Sequence, residues 1–106
     1  MHARVTSIQA AEGHVEEVAH LLRYSLLPAL RAAPGFLRAE LLVAPAAGRC
    51  LTVTYWATPA ALAASAPRTV AGMLATAPAA GLVAAVATED YEVRPPASAA
   101  RPRPPA

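Results

Sequence analysis

The segment from Pro34 to Pro59 constrains the fold more than any other, because it predicts two antiparallel strands between two helices. Gly35 stands where the end of a helix favours a left-handed residue, and residues 44–48 carry the Pro and Gly typical of a short loop. Thr58 predicts a helix N-cap with Pro59 at the first helical position, where a missing N–H costs nothing. The segment therefore predicts a hairpin that a helix precedes and a second helix follows.

The remaining segments extend this pattern over most of the chain. Apolar residues at helical spacing predict a helix over residues 14–31, and Pro28 within it should kink or end the regular helix. Strands are predicted at residues 2–8, 36–43, 50–57 and 83–93, with helical pieces at 59–65 and 67–74. The order is β-α-β-β-α-β, a ferredoxin-like α+β fold whose four-stranded antiparallel sheet carries its helices on one face. We expect one folded domain over residues 1–94 and a disordered Pro/Ala/Arg-rich tail over residues 95–106.

Composition excludes several classes of function. A chain of 106 residues that is 56% hydrophobic and 15% charged has more apolar surface than a monomer of this size needs, which favours an oligomer. The net charge of +2 and the absence of a basic stripe argue against nucleic-acid binding. Cys50 is the only cysteine, so no internal disulfide is possible. With neither a signal peptide nor an apolar run of about 18 residues, the sequence predicts a cytoplasmic protein without a membrane span.

Alternation along the strands assigns their side chains to two faces of the sheet, because successive residues point in opposite directions. The apolar face carries Ala3, Val5, Ser7, Leu37, Ala39, Leu41, Val43, Leu51, Val53 and Tyr55. The mixed face carries Arg4, Thr6, Ile8, Phe36, Arg38, Glu40, Leu42, Thr52, Thr54 and Trp56. Either the helices cover the apolar face and the mixed face meets water, or the apolar face packs against a second copy and the mixed face lines a cavity beneath the helices.

Two large aromatic side chains, Phe36 and Trp56, are poorly suited to open solvent, and this favours the second arrangement. The second arrangement predicts a homodimer formed through Leu37, Leu41, Val53 and Tyr55.

The chain resembles the antibiotic biosynthesis monooxygenase family of the dimeric α+β barrel superfamily, over about residues 2–94. The matching features are Ala33-Pro34-Gly35-Phe36 after a kinked helix, Val53-Thr54-Tyr55-Trp56-Ala57-Thr58 before the next helix, and a terminal strand near residues 89–93. The resemblance implies a homodimer whose sheets face each other, with a pocket between sheet and helices in each subunit. Members include cofactor-free oxygenases of aromatic polyketides and haem-degrading enzymes, and other relatives are cyclases or have no assigned role.

The chain departs from the family at its catalytic positions. The cofactor-free oxygenases carry an Asn four residues before the Trp, where this chain has Thr52, and no Asn occurs anywhere. Haem-degrading relatives use a first-strand Asn, here Thr6, and a His after the Trp, whereas Ala66 stands ten residues after Trp56. The resemblance therefore excludes haem degradation by the known triad, and no cofactor is expected. His14 and His20 are six residues apart and make a poor metal pair, so no metal site is expected either.

The mixed face supplies the candidate site residues. Thr52, Arg38 and Glu40 are the catalytic candidates: Arg38 could stabilise a phenolate or enolate, and Glu40 is the nearest base. The substrate-binding candidates are Trp56, which would stack on a planar ring, Thr54 and Thr6, which would bond its oxygens, and Phe36. As alternatives, threonine is a common strand residue, and Arg38 with Glu40 could be an exposed ion pair. The carboxylates at residues 89 and 90 are expected to be solvated.

The leading hypothesis is a small cofactor-independent monooxygenase that modifies a polycyclic aromatic or polyketide intermediate of secondary metabolism. A redox-neutral polyketide cyclase and a non-catalytic ligand-binding or accessory dimer are the alternatives. The small-molecule substrate and a second copy of the chain are the expected partners.

Overall fold

The computed structural model describes residues 1–65 and 81–94, which form a four-stranded sheet with helices packed on one face. The described elements are β1 (His2–Ala10), α1 (Val15–Leu21), a π-helical turn (Leu22–Leu26), α2 (Leu27–Leu30), β2 (Phe36–Ala44), a 3-10 turn (Pro45–Ala47), β3 (Arg49–Trp56), α3 (Pro59–Ala64) and β4 (Val83–Glu92). The spatial order is β2-β3-β1-β4, and every neighbouring pair is antiparallel. The ferredoxin-like α+β prediction is confirmed; the helical piece at 67–74 and the tail at 95–106 lie outside the described residues.

The first helix is interrupted by its π-helical turn shortly before Pro28, which occupies the first turn of α2. Proline has no N–H to donate to the carbonyl four residues earlier, and its ring crowds that carbonyl, so a regular α-helix cannot continue through this position. A wider turn upstream accommodates the change. Within the described ranges, no helix is long and apolar enough to cross a membrane.

The main core lies between the first helix and the centre of the sheet. Val18, Leu22 and Leu30 are buried against two strand residues, Ile8 of β1 and Cys50 of β3. Burial of a leucine or isoleucine side chain contributes roughly 1.5–3 kcal/mol to folding, so this cluster holds the helix on the sheet.

The junction between α2 and β2 is built around Gly35, whose φ of +79° is unfavourable for other residues. Its carbonyl accepts a 2.8 Å hydrogen bond from the N–H of Ala57, at the end of the neighbouring strand. The predicted N-cap follows, because the Thr58 hydroxyl oxygen accepts a 3.0 Å hydrogen bond from the N–H of Ala61. The two chain segments that enter and leave the hairpin are therefore fastened together at this corner.

A β-bulge at the beginning of β2 changes the face assignments that simple alternation predicts. Phe36 pairs with Trp56, and the next pair is Arg38 with Tyr55, so β2 advances two residues while β3 advances one. Leu37 is the extra residue. Because directly opposed residues point to the same face, every side chain of β2 after the bulge lies on the face opposite to the predicted one.

Candidate functional site

A row of polar side chains crosses the helix-facing side of the sheet. Thr6 of β1 pairs with Thr52 of β3, which pairs in turn with Leu41 of β2. Thr6 and Thr52 are almost completely buried, with 1% and 0% of their surface exposed. The Thr52 hydroxyl oxygen finds no hydrogen-bond partner within residues 1–65 and 81–94. A buried hydroxyl without a partner is rare in native proteins and is costly to keep.

Trp56 lies on the same face, at the C-terminal end of β3, and is 1% exposed. Its indole N–H donates a 3.1 Å hydrogen bond to the Thr54 hydroxyl oxygen, and that hydroxyl donates a 3.4 Å bond to the backbone carbonyl of Arg4. Its ring packs edge-on against Phe36, beside Ala33 and Leu62. Thr54 therefore fixes the orientation of the indole, and the surrounding side chains leave almost none of the ring exposed.

A buried charge completes this side of the sheet. Arg4 is 9% exposed, and its guanidinium binds both carboxylate oxygens of Asp90 on β4, at 2.8 and 3.1 Å. The same guanidinium donates a 3.0 Å hydrogen bond to the hydroxyl of Ser65 at the end of α3. A guanidinium has five N–H donors, and bonds to other described residues use three of them, so two have no acceptor within residues 1–65 and 81–94.

The interpretation that places Arg38 and Glu40 with Trp56 is wrong. The bulge at Leu37 directs both side chains to the outer face of the sheet, where Arg38 is opposite Tyr55 and Glu40 is opposite Val53. The Arg38 guanidinium carbon lies 4.3 Å from the centre of the Tyr55 ring, and the Tyr55 hydroxyl donates a 2.9 Å hydrogen bond to Glu40. This hydrogen bond is the largest cause of the raised pKa of Tyr55; desolvation and the charge of Glu40 also raise the pKa, and Arg38 acts in the opposite direction. Neither side chain lies on the face that carries Thr52 and Trp56.

The same bulge corrects the predicted dimer face. Leu41 turns towards the helices and packs against the main core, so it cannot contribute to an interface on the other side of the sheet. Val53 and Tyr55 remain on the outer face. Glu89 and Tyr91 of β4 occupy that face as well, and a hydrogen bond to the Glu89 carboxylate raises the pKa of the Tyr91 hydroxyl.

The structure thus brings together four predicted site residues, Thr6, Thr52, Thr54 and Trp56, and Phe36 packs against the last of them. Sequence reasoning missed the buried charge of Arg4, although alternation along β1 already placed this residue on the same face as Thr6. Asp90, expected to be solvated, is 46% exposed and ion-paired. Its role could not be found without the β1–β4 register, which joins residues 86 positions apart.

Cys50 belongs to the core rather than to the site. Its side chain is fully buried in the cluster beneath α1, and desolvation followed by the charge of Glu16 raises the pKa of its thiol. A thiol in this state is a poor nucleophile.

Comparison with known proteins agrees with this architecture. The sequence model of the family described as antibiotic biosynthesis monooxygenase matches residues 1–67. A comparison with curated proteins found no match.

Three solved structures illustrate the range of similar proteins. Protein SO0527 from Shewanella oneidensis is 27% identical, with 85% of this chain and 87% of that chain covered and a TM-score of 0.68. MhuD, a haem degrader from Mycobacterium tuberculosis solved with two haems in its active site, is 21% identical over 92% of this chain and 100% of its own, with a TM-score of 0.71. A mutant of SnoaB, a cofactor-independent oxygenase from Streptomyces nogalater, is 12% identical over 91% and 95%, with a TM-score of 0.68. The last two similarities show a shared fold.

Proposed function

The chain belongs to the antibiotic biosynthesis monooxygenase family, and we propose that it is a cofactor-independent monooxygenase of an electron-rich, planar aromatic substrate. The substrate binds between the helices and the sheet, against Thr6, Thr52 and Trp56. The proposed substrate class is a polycyclic aromatic or polyketide intermediate of secondary metabolism, and the acting species is a homodimer. The similarity in fold to a cofactor-independent oxygenase, SnoaB, supports the reaction type.

The observation that carries the proposal is the buried, unpartnered hydroxyl of Thr52. Leaving such a group without a hydrogen bond costs about 1–3 kcal/mol, and a valine of the same shape would avoid this cost. A hydroxyl kept in this position is best explained by a ligand that supplies the missing partner. The keto or phenol oxygen of an aromatic substrate is such a partner, because it can accept or donate a hydrogen bond.

The remaining polar groups fit the development of negative charge on that substrate. The two N–H groups of the Arg4 guanidinium that bind no other described residue stabilise an enolate or phenolate oxygen, an electrostatic contribution worth about 3 kcal/mol in comparable sites. The Thr6 hydroxyl adds a second polar contact in the same row as Thr52. Trp56, held by Thr54, offers an aromatic face for stacking once the side chains that cover it move aside.

Oxygenation of an anthrone illustrates the proposed chemistry. Loss of one methylene proton to water gives an enolate, and this anion reduces dioxygen by one electron. Recombination of the two radicals forms a carbon–oxygen bond and, after protonation, a hydroperoxide. Loss of water from the hydroperoxide leaves a quinone carbonyl, so one anthrone and one dioxygen give one quinone and one water. In this sequence the protein stabilises the anion and excludes bulk solvent.

The residues of this chain do not fit the haem chemistry found in part of the family. The resemblance requires an imidazole on the helix after the tryptophan, and the three histidines, at positions 2, 14 and 20, all precede Trp56. Among the described residues, the polar groups of the proposed site are hydroxyls, an indole and a guanidinium, none of which is a common iron ligand. The Cys50 thiol lies apart from them in the core, and burial raises its pKa. Haem therefore has no part in the proposed reaction.

The test is oxygen uptake by the protein with a phenolic anthrone, compared between Thr52→Val and Thr88→Val. Thr88 faces the same side of the sheet but is exposed on β4, so it is a matched control for loss of a hydroxyl. We expect Thr52→Val to keep or raise the melting temperature and to lower the oxygenation rate about tenfold or more, while Thr88→Val changes neither.

Three other results of this experiment would contradict the proposal. Equal oxygenation rates for Thr52→Val and the unsubstituted protein would contradict the site. A product of unchanged mass would identify a cyclase, and ligand binding without turnover would identify an accessory protein; either would contradict the proposed activity.

A further inference from the structure

A groove lies along the free edge of the sheet, between β2 and the segment formed by the π-helical turn and α2. Its volume is about 840 Å³, within the range of small-molecule sites. Its apolar lining comes from both sides: Leu27 and Pro28 from the helix, and Phe36, Leu41 and Val43, among others, from β2. The bulge at Leu37 produces this lining, because it turns Leu41 and Val43 towards the helix.

The charged residues that line the groove within residues 1–65 and 81–94 are all of one sign. They are Arg23, Arg31 and Arg38, and no acidic residue of those ranges lines it. The Arg38 guanidinium carbon lies over Tyr55 on the outer face, and the Arg23 guanidinium carbon lies 5.5 Å from the centre of the Tyr24 ring. Arg23 and Arg31 line the groove from the helix side. An apolar floor beneath two guanidinium groups is complementary to a planar ring that bears an anionic group, since arginine binds carboxylates bidentately.

The groove also adjoins the proposed active site. Phe36 lines it and packs edge-on against Trp56. Leu41 lines it too and is the direct strand partner of Thr52. A single row of β2 side chains therefore separates the groove from the buried threonines and the indole.

We propose that this groove binds the carboxylate of a planar aromatic acid through Arg23 and Arg31, and that it is the entrance through which the substrate reaches Trp56 and Thr52. The proposal that the groove binds a carboxylate rests on the residues of the groove alone. The proposal that the groove is the substrate entrance rests on the proposed oxygenase function. The substrate class is thereby narrowed to aromatic compounds that carry an acidic group at one end.

The experiment is calorimetric titration with anthraquinone-2-carboxylate and with its neutral analogue, anthraquinone-2-carboxamide. We expect the acid to bind at least about tenfold more tightly than the amide, and to quench the emission of Trp56, the only tryptophan. The double variant Arg23→Gln/Arg31→Gln should lose that preference. The matched control is Arg49→Gln/Arg94→Gln, which removes two exposed charges that do not line the groove and should keep the preference within about twofold.

Three results would overturn the groove proposal: equal affinity for acid and amide, equal weakening by both double variants, or no binding of the acid at millimolar concentration. The role as an entrance is tested separately, because the bound carboxylate should then inhibit oxygen uptake competitively. Arginine-dependent binding of the acid to a protein that oxygenates no anthrone would uphold the groove and refute the oxygenase. Oxygenation that the bound acid does not inhibit would refute the entrance.

Discussion

The rings of Phe36 and Trp56 meet edge to face, with their centres 5.4 Å apart and their planes at 76°. The contact joins the edge strand β2 to β3 at the last register position before the bulge at Leu37. Phe36 also packs against the main core, so its ring links that core to the smaller cluster around Trp56. The groove at the edge of the sheet and the buried indole therefore share a single aromatic wall.

Substitution of Trp56 by Phe should affect activity more than folding. We expect the free energy of unfolding to fall by about 1–2 kcal/mol, because the hydrogen bond to Thr54 and part of the buried ring are lost. Oxygenation of the anthrone should fall by more than tenfold, since the smaller ring stacks less well on a planar substrate. Denaturant unfolding and oxygen uptake measure the two quantities. An unchanged oxygenation rate would place the substrate away from this indole.

The ion pair between Arg4 and Asp90 should show an asymmetry between its two partners. Asp90→Ala leaves a buried guanidinium with Ser65 as its remaining side-chain partner among the described residues, whereas Arg4→Met removes the buried charge itself. We expect Asp90→Ala to lower the free energy of unfolding by about 1 kcal/mol more than Arg4→Met does. The difference is smaller than for a fully buried ion pair because the Asp90 side chain is 46% exposed.

The exposed pair of Arg94 with Glu92 is the control, and Arg94→Met should change stability by less than about 0.5 kcal/mol. Chemical denaturation of the three variants provides the comparison. Equal losses for Asp90→Ala and Arg4→Met would argue against a burial penalty on the guanidinium.

Replacement of Gly35 by Ala should be more destabilising than the same change at Gly13. Both glycines have φ of +79°, so both substitutions carry the cost of a left-handed conformation, about 1–2 kcal/mol. A Cβ at position 35 would also lie 2.4 Å from the Cβ of Ala61, whereas a Cβ at position 13 meets nothing within 4 Å. We expect the melting temperature to fall for both variants and further for Gly35→Ala. Adding Ala61→Gly to Gly35→Ala should recover the additional loss, and failure to do so would show that the close contact is relieved in another way.

Substitutions on the two faces of the sheet should distinguish dimerisation from folding. Val53 lies half-buried on the outer face, so Val53→Arg should leave the monomer folded and place an unpaired charge in a sheet-to-sheet interface. We expect light scattering to give the monomer mass for this variant and the dimer mass for the unsubstituted protein. Leu41→Arg should instead unfold the chain, because Leu41 packs against the main core. A folded Leu41→Arg monomer would contradict the corrected face assignment.

Local chemistry was enough to predict most of the architecture. The left-handed Gly35, the cap formed by Thr58 and the disruptive effect of Pro28 each act on their own neighbours, and each occurs in the structure where the sequence predicts it. Along β1 and β3, period-two alternation also places Thr6, Thr52, Thr54 and Trp56 on one face correctly, because no register shift separates these residues. The fold class and the threonine row were therefore within reach of sequence reasoning.

The tertiary structure decided the rest, because those features depend on how strands pair. Alternation is a local rule, and one extra residue at Leu37, defined by the register of β2 against β3, reverses the faces of Arg38 and Glu40. The buried pair of Arg4 and Asp90 depends on β1 lying beside β4, near opposite ends of the chain. The sequence by itself determined the helices and strands and which residues of a single regular strand share a face. The bulge and the strand order determined which side chains of different strands share a site.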